Sequence, residues 1–320
     1  MNITVIICTY NRCQSLAKAL DSVASSVLPD SVEWEVLVVD NNSSDQTSDI
    51  VEEFRRRYSG RFRYLFEARQ GKSYALNSGI REARGEVLAF MDDDVTVQPS
   101  WLRSLTTPLQ SKEWAGVGGR ILPAHTFSPP KWLALRGPYS TATMLALFDL
   151  GDCPGKLDEA PFGTNMAFRR SLFRKYGGFR ADMGPCPGSE MRNEDTEFGR
   201  RLLAAGELLW YEPSAIVYHS VPESRLRRGY FLKFWYDHGR AEIREWKKGP
   251  DIMGAPREYF WILRLGLMLP RRAVRWVLAL DPQQRFFNKG LVWMTIGKIV
   301  ECYRQAALSM RPQHDSVMDT

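Results

Sequence analysis

Cysteine is scarce in this chain. Its five residues, Cys8, Cys13, Cys153, Cys186 and Cys302, are odd in number, widely scattered and never spaced as C-x-x-C. That argues against a zinc site or a disulfide framework and for a reducing compartment. Long apolar runs are missing too: no stretch of about 18 uncharged apolar residues occurs, so no membrane-spanning helix is expected. The opening MNITVIICTYNR has no basic segment ahead of its short apolar run, which argues against a secretory leader and for a first strand. Internal repeats, low-complexity tracts and nucleic-acid reader motifs are also lacking, so no nucleic-acid partner is expected.

What is present is the composition of an ordinary globular protein. At 320 residues the chain can bury a sizeable core, in one large domain or one with a smaller appendage. Its net charge of +6 attracts anions such as a nucleotide or an acidic membrane surface. One stretch stands out, GEVLAFMDDDV from Gly85 to Val95. Unbroken apolar residues there read as a strand buried on both faces. They run into three adjacent carboxylates, Asp92, Asp93 and Asp94, whose mutual repulsion burial would worsen. Either the strand stops at solvent, or a hard divalent cation neutralises the cluster.

Strand and helix patterns alternate through the first hundred residues. Strands are expected at Ile3–Cys8, Trp34–Val39, Phe62–Phe66 and the run ending at Asp92; apolar positions at helical spacing lie between them. This is the pattern of an α/β sheet with parallel strands. Polar residues gather where strands end, at Thr9 to Asn11, Asp40 to Asn42 and Asp92 to Asp94. Ligands of open α/β sheets bind outside the carboxyl ends of the strands, which makes that edge a nucleotide-type site. Further on, Pro123 to Tyr139 reads as a long loop carrying exposed-type aromatics Phe127 and Trp132. A short strand is expected within Gly163–Arg169, a helix opening at Asn193-Glu194-Asp195, and a last short strand at Ala215–Tyr218 with His219 at its tip. Glu194 and Asp195 suit the dipole at a helix start.

From about Glu223 the character changes. Arg225, Arg227, Arg228, Lys233, Arg240, Arg244, Lys247 and Lys248 are interleaved with aromatics, and Arg264, Arg271 and Arg275 would share a helix face that Pro270 kinks. Such a region serves either as an interfacial element on an anionic bilayer or as a helical cap whose arginine stems cover apolar surface. The expected division is an α/β domain at 1–222, a basic helical extension at 223–310 and a disordered tail at 311–320.

Taken together, VIICTYNR, VLVVDNNSSDQT, RQGKSYALNSGIREARGEVLAFMDDDV, GTNMAFRR and NEDTEFGRRLLAAG resemble the family-2 glycosyltransferases with the GT-A fold, over about residues 1 to 220. The resemblance implies an α/β fold with a Rossmann-like mixed or parallel sheet and a helical C-terminal extension. It implies an inverting enzyme that moves a sugar from a nucleotide donor, a UDP-sugar for most members, to a glycan or lipid-linked acceptor. Thr9, Tyr10, Asn11, Arg12, Asp40, Asn42, Lys72, Asp92 and Asp93 would meet the donor. Asp94, with Asp92 and His219, would hold Mn²⁺ or Mg²⁺, and Asp195 would be the base. Asn165 and Glu194 would lie at the donor sugar or acceptor. Cell-envelope or polysaccharide synthesis at the cytoplasmic membrane face is the implied setting. A sugar nucleotidyltransferase and a non-catalytic sugar-nucleotide-binding protein remain the alternatives; the first would ordinarily carry glycine in the Thr9–Arg12 turn, which has none.

Overall fold

The computed structural model describes residues 1–125, 127–187, 191–245 and 257–309; Trp246, Lys247, Lys248 and the expected tail at 311–320 lie outside them. The chain divides into two compact units. One holds residues 1–128 and 142–223; the other holds 129–141 and the described residues from 224 on.

The first unit opens with β1 (Ile3–Thr9), α1 (Cys13–Ala24), β2 (Trp34–Asp40), α2 (Thr47–Arg57), β3 (Phe62–Phe66), α3 (Lys72–Glu82) and β4 (Val87–Asp92). It continues through β5 (Val95–Val97), α4 (Trp101–Thr106), β6 (Gly116–Pro123), β7 (Gly155–Leu157), β8 (Asn165–Arg169), α5 (Arg170–Tyr176), α6 (Glu194–Ala204) and β9 (Leu209–His219). Among the described residues the strands form one sheet in the order β3-β2-β1-β4-β8-β6-β9-β5, with β7 paired to β9. The first four strands are parallel. β8 runs antiparallel to β4 and β6, so the sheet is mixed.

The apolar runs behave as their sequence requires. Val5, Ile6 and Ile7 of β1, Val36 to Val39 of β2 and Val87 to Met91 of β4 are buried on both faces. Leu16, Leu20 and Val23 of α1, and Ala75, Leu76 and Ile80 of α3, cover them at helical spacing. Each fully buried Val, Ile or Leu contributes about 1.5–3 kcal/mol of transfer free energy. Strands β5, β6 and β7 were not expected, and of the expected strands β9 departs most in length, running from Leu209 rather than Ala215. Pro213 masks it in sequence, and the structure accommodates the proline at an irregularity: the β6 partners jump from Glu212 to Ile216. An imino nitrogen is tolerated there because no ladder donor is needed.

The second unit contains α7 (Arg228–Glu245), α8 (Arg257–Leu278) and α9 (Pro282–Ser309), with α9 packed against both others. A methyl group at Gly239 would meet the Met294 carbonyl at 2.1 Å, and one at Gly297 the Tyr236 carbonyl at 2.1 Å, so α7 and α9 touch backbone to backbone. Trp132 is not an exposed loop aromatic: its ring packs on Phe231 at 5.5 Å and Phe286 at 4.3 Å within this unit. No helix among the described residues is long and apolar enough to cross a membrane.

Candidate active site

The polar strand ends of β1, β2 and β4 lie side by side, because the register pairs Thr9 with Asp40 and Cys8 with Asp92. Two further elements reach the same edge. β8, antiparallel to β4, pairs Asn165 with Met91, which brings the preceding Thr164 to the carboxylates. β9 pairs antiparallel with β5, setting His219 opposite Val95, one residue from Asp94.

The acidic run is held by cations and hydroxyls. Lys72 Nζ lies 2.6 Å from Asp92 Oδ1, and Thr164 Oγ1 donates to Asp92 Oδ2 at 2.7 Å. Thr9 Oγ1 donates to Asp93 Oδ2 at 2.7 Å. Arg12 Nη1 bridges Asp93 Oδ1 at 3.1 Å and Asp94 Oδ2 at 3.0 Å. His219 Nε2 is 3.6 Å from Asp94 Oδ1. Burial opposes ionisation of Asp92, but the charge and hydrogen bond of Lys72, with the Thr164 hydroxyl, together hold the carboxyl below the usual range. Asp93 is pushed up to about 6, its burial exceeding the help of Arg12.

Behind Lys72 stands the start of α6. Glu194 is almost fully buried, with Oε1 3.6 Å from Lys72 Nζ and Oε2 lacking any hydrogen-bond partner. Its burial, only partly offset by Lys72, pushes the carboxyl up to about 7. Asp195 is fixed by the chain itself: the Gly163 amide donates to Oδ2 at 2.6 Å and the Thr196 amide to Oδ1 at 2.7 Å. Glycine is needed at 163, since a β-carbon there would lie 2.9 Å from that oxygen. Burial raises the Asp195 pKa despite Lys72 and the two amides. Both carboxylates begin a helix, where the dipole favours negative charge.

The expected donor pocket is assembled in part. Asp40 accepts from the Ser43 amide at 2.9 Å and from Tyr64 Oη at 2.7 Å, leaving further lone pairs on a buried carboxylate. Tyr10, which follows Thr9 at the end of β1, is exposed. Asn11 adopts φ 51° and its side chain accepts from the Ser44 amide at 2.7 Å, tying the β1 loop to the β2 loop. Asn42 is exposed at φ 66°. The organising asparagine is its neighbour: Asn41 donates to the Glu67 and Arg69 carbonyls at 3.2 and 2.8 Å and accepts from the Gly71 amide at 2.7 Å.

Two expected site residues make other contacts here. Asn165 spends its side chain on the protein itself. It is fully buried, donates to the Arg120 and Ala215 carbonyls at 2.9 and 2.8 Å, and accepts from Trp101 Nε1 at 2.8 Å. Asp92 faces Lys72 and Thr164 rather than joining Asp94 and His219. Thr164 and Asn41 were missed because a polar loop residue carries no periodicity; only the strand pairing gives them a partner.

Among the described residues no three His, Cys, Asp or Glu side chains are arranged to hold a metal ion. The Asp94–His219 pair still fits one: carboxylate and imidazole stand together at the strand edge, and Mg²⁺-type ions commonly take one or two protein ligands and complete their shell from substrate phosphates.

A family model described as Glycosyl transferase family 2 matches residues 4–177. The chain is 28% identical over 244 residues to the glycosyltransferase AglE of Haloferax volcanii, covering 76% of this chain and 74% of that protein. It is 26% identical over 245 residues to the succinoglycan biosynthesis protein ExoM of Rhizobium meliloti, covering 76% and 75%. The solved mannosyltransferase PcManGT from Pyrobaculum calidifontis, in complex with GDP-Man and Mn²⁺, matches with a TM-score of 0.59 over 97% of this chain and 88% of that one, at 17% identity. At that identity the structural likeness speaks to the fold.

Proposed function

The chain belongs to glycosyl transferase family 2 and is a glycosyltransferase of the GT-A fold; from that premise we propose that it is an inverting, metal-dependent enzyme. It moves a sugar from a nucleoside diphosphate donor, a UDP-sugar, to a glycan or lipid-linked acceptor. The work is polysaccharide or cell-envelope synthesis, at the inner face of the membrane. The observation that carries the reading is Asp195: a carboxylate pinned by two backbone amides, with a raised pKa, at the edge where the donor site lies.

Each residue then has a task. Asp195 takes the proton of the acceptor hydroxyl; positioned bases of this kind contribute typically about 10²- to 10⁴-fold. The two amides fix its orientation, and its raised pKa makes it a stronger base than an exposed aspartate. Glu194 offers its unpartnered oxygen to a sugar hydroxyl. Asp40 accepts from the nucleotide base, with Thr9, Tyr10, Asn11, Arg12 and Asn42 around it. Lys72 and Arg12, which neutralise the carboxylates here, would turn to the donor phosphates. Asp94 and His219 would hold Mn²⁺ or Mg²⁺, which when bound supplies positive charge to the departing diphosphate.

The test is a panel of nucleotide sugars with Mn²⁺, read by release of nucleoside diphosphate in the presence of candidate acceptors. Asp94→Ala should lose metal-stimulated donor affinity in calorimetry. Donor affinity indifferent to Mn²⁺ in the unmodified protein would remove the metal from the proposal.

A further inference from the structure

The basic residues of the second unit fall into two groups. Those of α7 are spent inside it: Arg240 Nε and Arg244 Nε lie 3.1 and 2.8 Å from the buried Glu301, and Lys233 Nζ lies 2.8 Å from Asp237. On α8, Arg272 is likewise spent inside, donating to the Leu291 carbonyl at 3.0 Å and Thr295 Oγ1 at 2.6 Å, but three others are not so confined. Arg264, Arg271 and Arg275 are exposed, and no acidic residue occurs between positions 260 and 280.

Beside these arginines runs an apolar stripe that the described residues leave exposed. Leu263, Leu267, Val274, Val277 and Leu278 are 55 to 71% exposed, and Leu280 just past the helix is 96% exposed. At 3.6 residues per turn the five helical positions fall within roughly 100° of circumference, and the three arginines within the next roughly 60°. Exposed single leucines are ordinary; a continuous stripe of them is a binding surface.

Three occupants are conceivable, and charge chooses among them. A second copy seated face to face would bring two arginine rows together with no carboxylate from either stripe to offset them. An acidic protein would meet the arginines but needs a matching apolar ridge. An anionic bilayer offers both at once: acyl chains for the leucines and phosphates, a few ångströms above, for the guanidiniums.

We infer that α8 is the membrane-contact element of this protein, lying in the plane of an anionic lipid surface with its leucine stripe among the acyl chains and Arg264, Arg271 and Arg275 at the headgroups. This deepens the membrane contact proposed above and rests on it, naming the helix face responsible. The contact is electrostatic in its selectivity and hydrophobic in its depth, and it serves a lipid-linked acceptor by confining the enzyme to the plane where that acceptor lies.

The experiment is flotation of the full-length protein with vesicles of phosphatidylglycerol and phosphatidylcholine, against vesicles of phosphatidylcholine alone. The unmodified protein is expected to float with the anionic vesicles and to dissociate as salt is raised. Leu263→Ser, Leu267→Ser and Leu278→Ser combined should weaken binding at least tenfold, while Arg227→Gln, an exposed charge outside α8, changes it less than twofold. Thermal melting and donor affinity of the triple variant should match those of the unmodified protein, showing that the loss is not misfolding. Equal flotation of the triple variant overturns the assignment to α8 and leaves membrane contact standing. No flotation of the unmodified protein overturns both. Dimerisation abolished by the same serines, without vesicle binding, gives the face to a second copy and overturns the inference.

Discussion

Two buried glutamates, one in each unit, lead opposite lives. Glu301, between α7 and α9, is wholly buried and meets Arg240, Arg244 and Gln305, whose donors hold its carboxyl below the usual range despite the burial. Glu194, at the start of α6, is nearly as buried, yet one of its oxygens has no partner and its carboxyl is pushed up to about 7. A protein that can satisfy Glu301 so fully has left Glu194 short of donors. Satisfied buried charge specifies a fold; unsatisfied buried charge in a cleft marks a place where a ligand supplies the missing contact.

The comparison breaks most readily at Glu301. Glu301→Ala leaves Arg240 and Arg244 facing each other in a buried site, and the loss of stability should be about 3–5 kcal/mol in denaturant unfolding. A loss under about 1 kcal/mol would mean that the network is not the structural element described.

Glu194 should show the reverse behaviour, as a dependence on pH. Its folded pKa is about 7 against an ordinary value of 4.5, so in that interval the folded state keeps a proton the unfolded chain has released. Stability from this group is therefore fully present below about pH 4.5 and lost as pH rises through 7. Glu194→Gln cannot ionise, so its melting temperature relative to the unmodified protein should rise between pH 5 and pH 8. A difference that stays constant across that range would contradict the shift.

A smaller effect is expected at Thr164, whose hydroxyl donates to Asp92 at 2.7 Å. Thr164→Val keeps the shape and removes one hydrogen bond to a charged group, about 1.5–3 kcal/mol. Calorimetry should find it in donor affinity or in stability; unchanged values in both would strip Thr164 of its place in the site.

Legibility followed physical cause. The four parallel strands and their polar tips were open to reading because an unbroken apolar run that ends in carboxylates is both an element and a location. The polar clusters at Thr9 to Asn11, Asp40 to Asn42 and Asp92 to Asp94 could therefore be assigned to one edge from the pattern, whereas Lys72, Asp195 and His219 entered only through the family resemblance. Partners set by strand crossing were not open to reading. Thr164 reaches Asp92 only because β8 runs antiparallel to β4, and Asn165, its neighbour on the opposite face, turns inward to Trp101. β9 was shortened in sequence by Pro213, which the irregular pairing with β6 absorbs. In the second unit the stripe on α8 follows helical spacing, but the division of arginines between α7 and α8 does not. Arg240 and Arg244 find Glu301 some 57 to 61 positions away, a distance no local pattern reports.

The most direct measurement pairs donor binding with transfer in Asp195→Asn. The amide is nearly isosteric and cannot take a proton, so donor affinity by calorimetry should stay within about twofold while turnover falls by about 10²-fold or more. For the unmodified protein, the acid limb of kcat/KM should lie above the ordinary aspartate range, as the raised pKa of Asp195 requires. Turnover by Asp195→Asn at a rate near that of the unmodified protein would contradict the account at its centre.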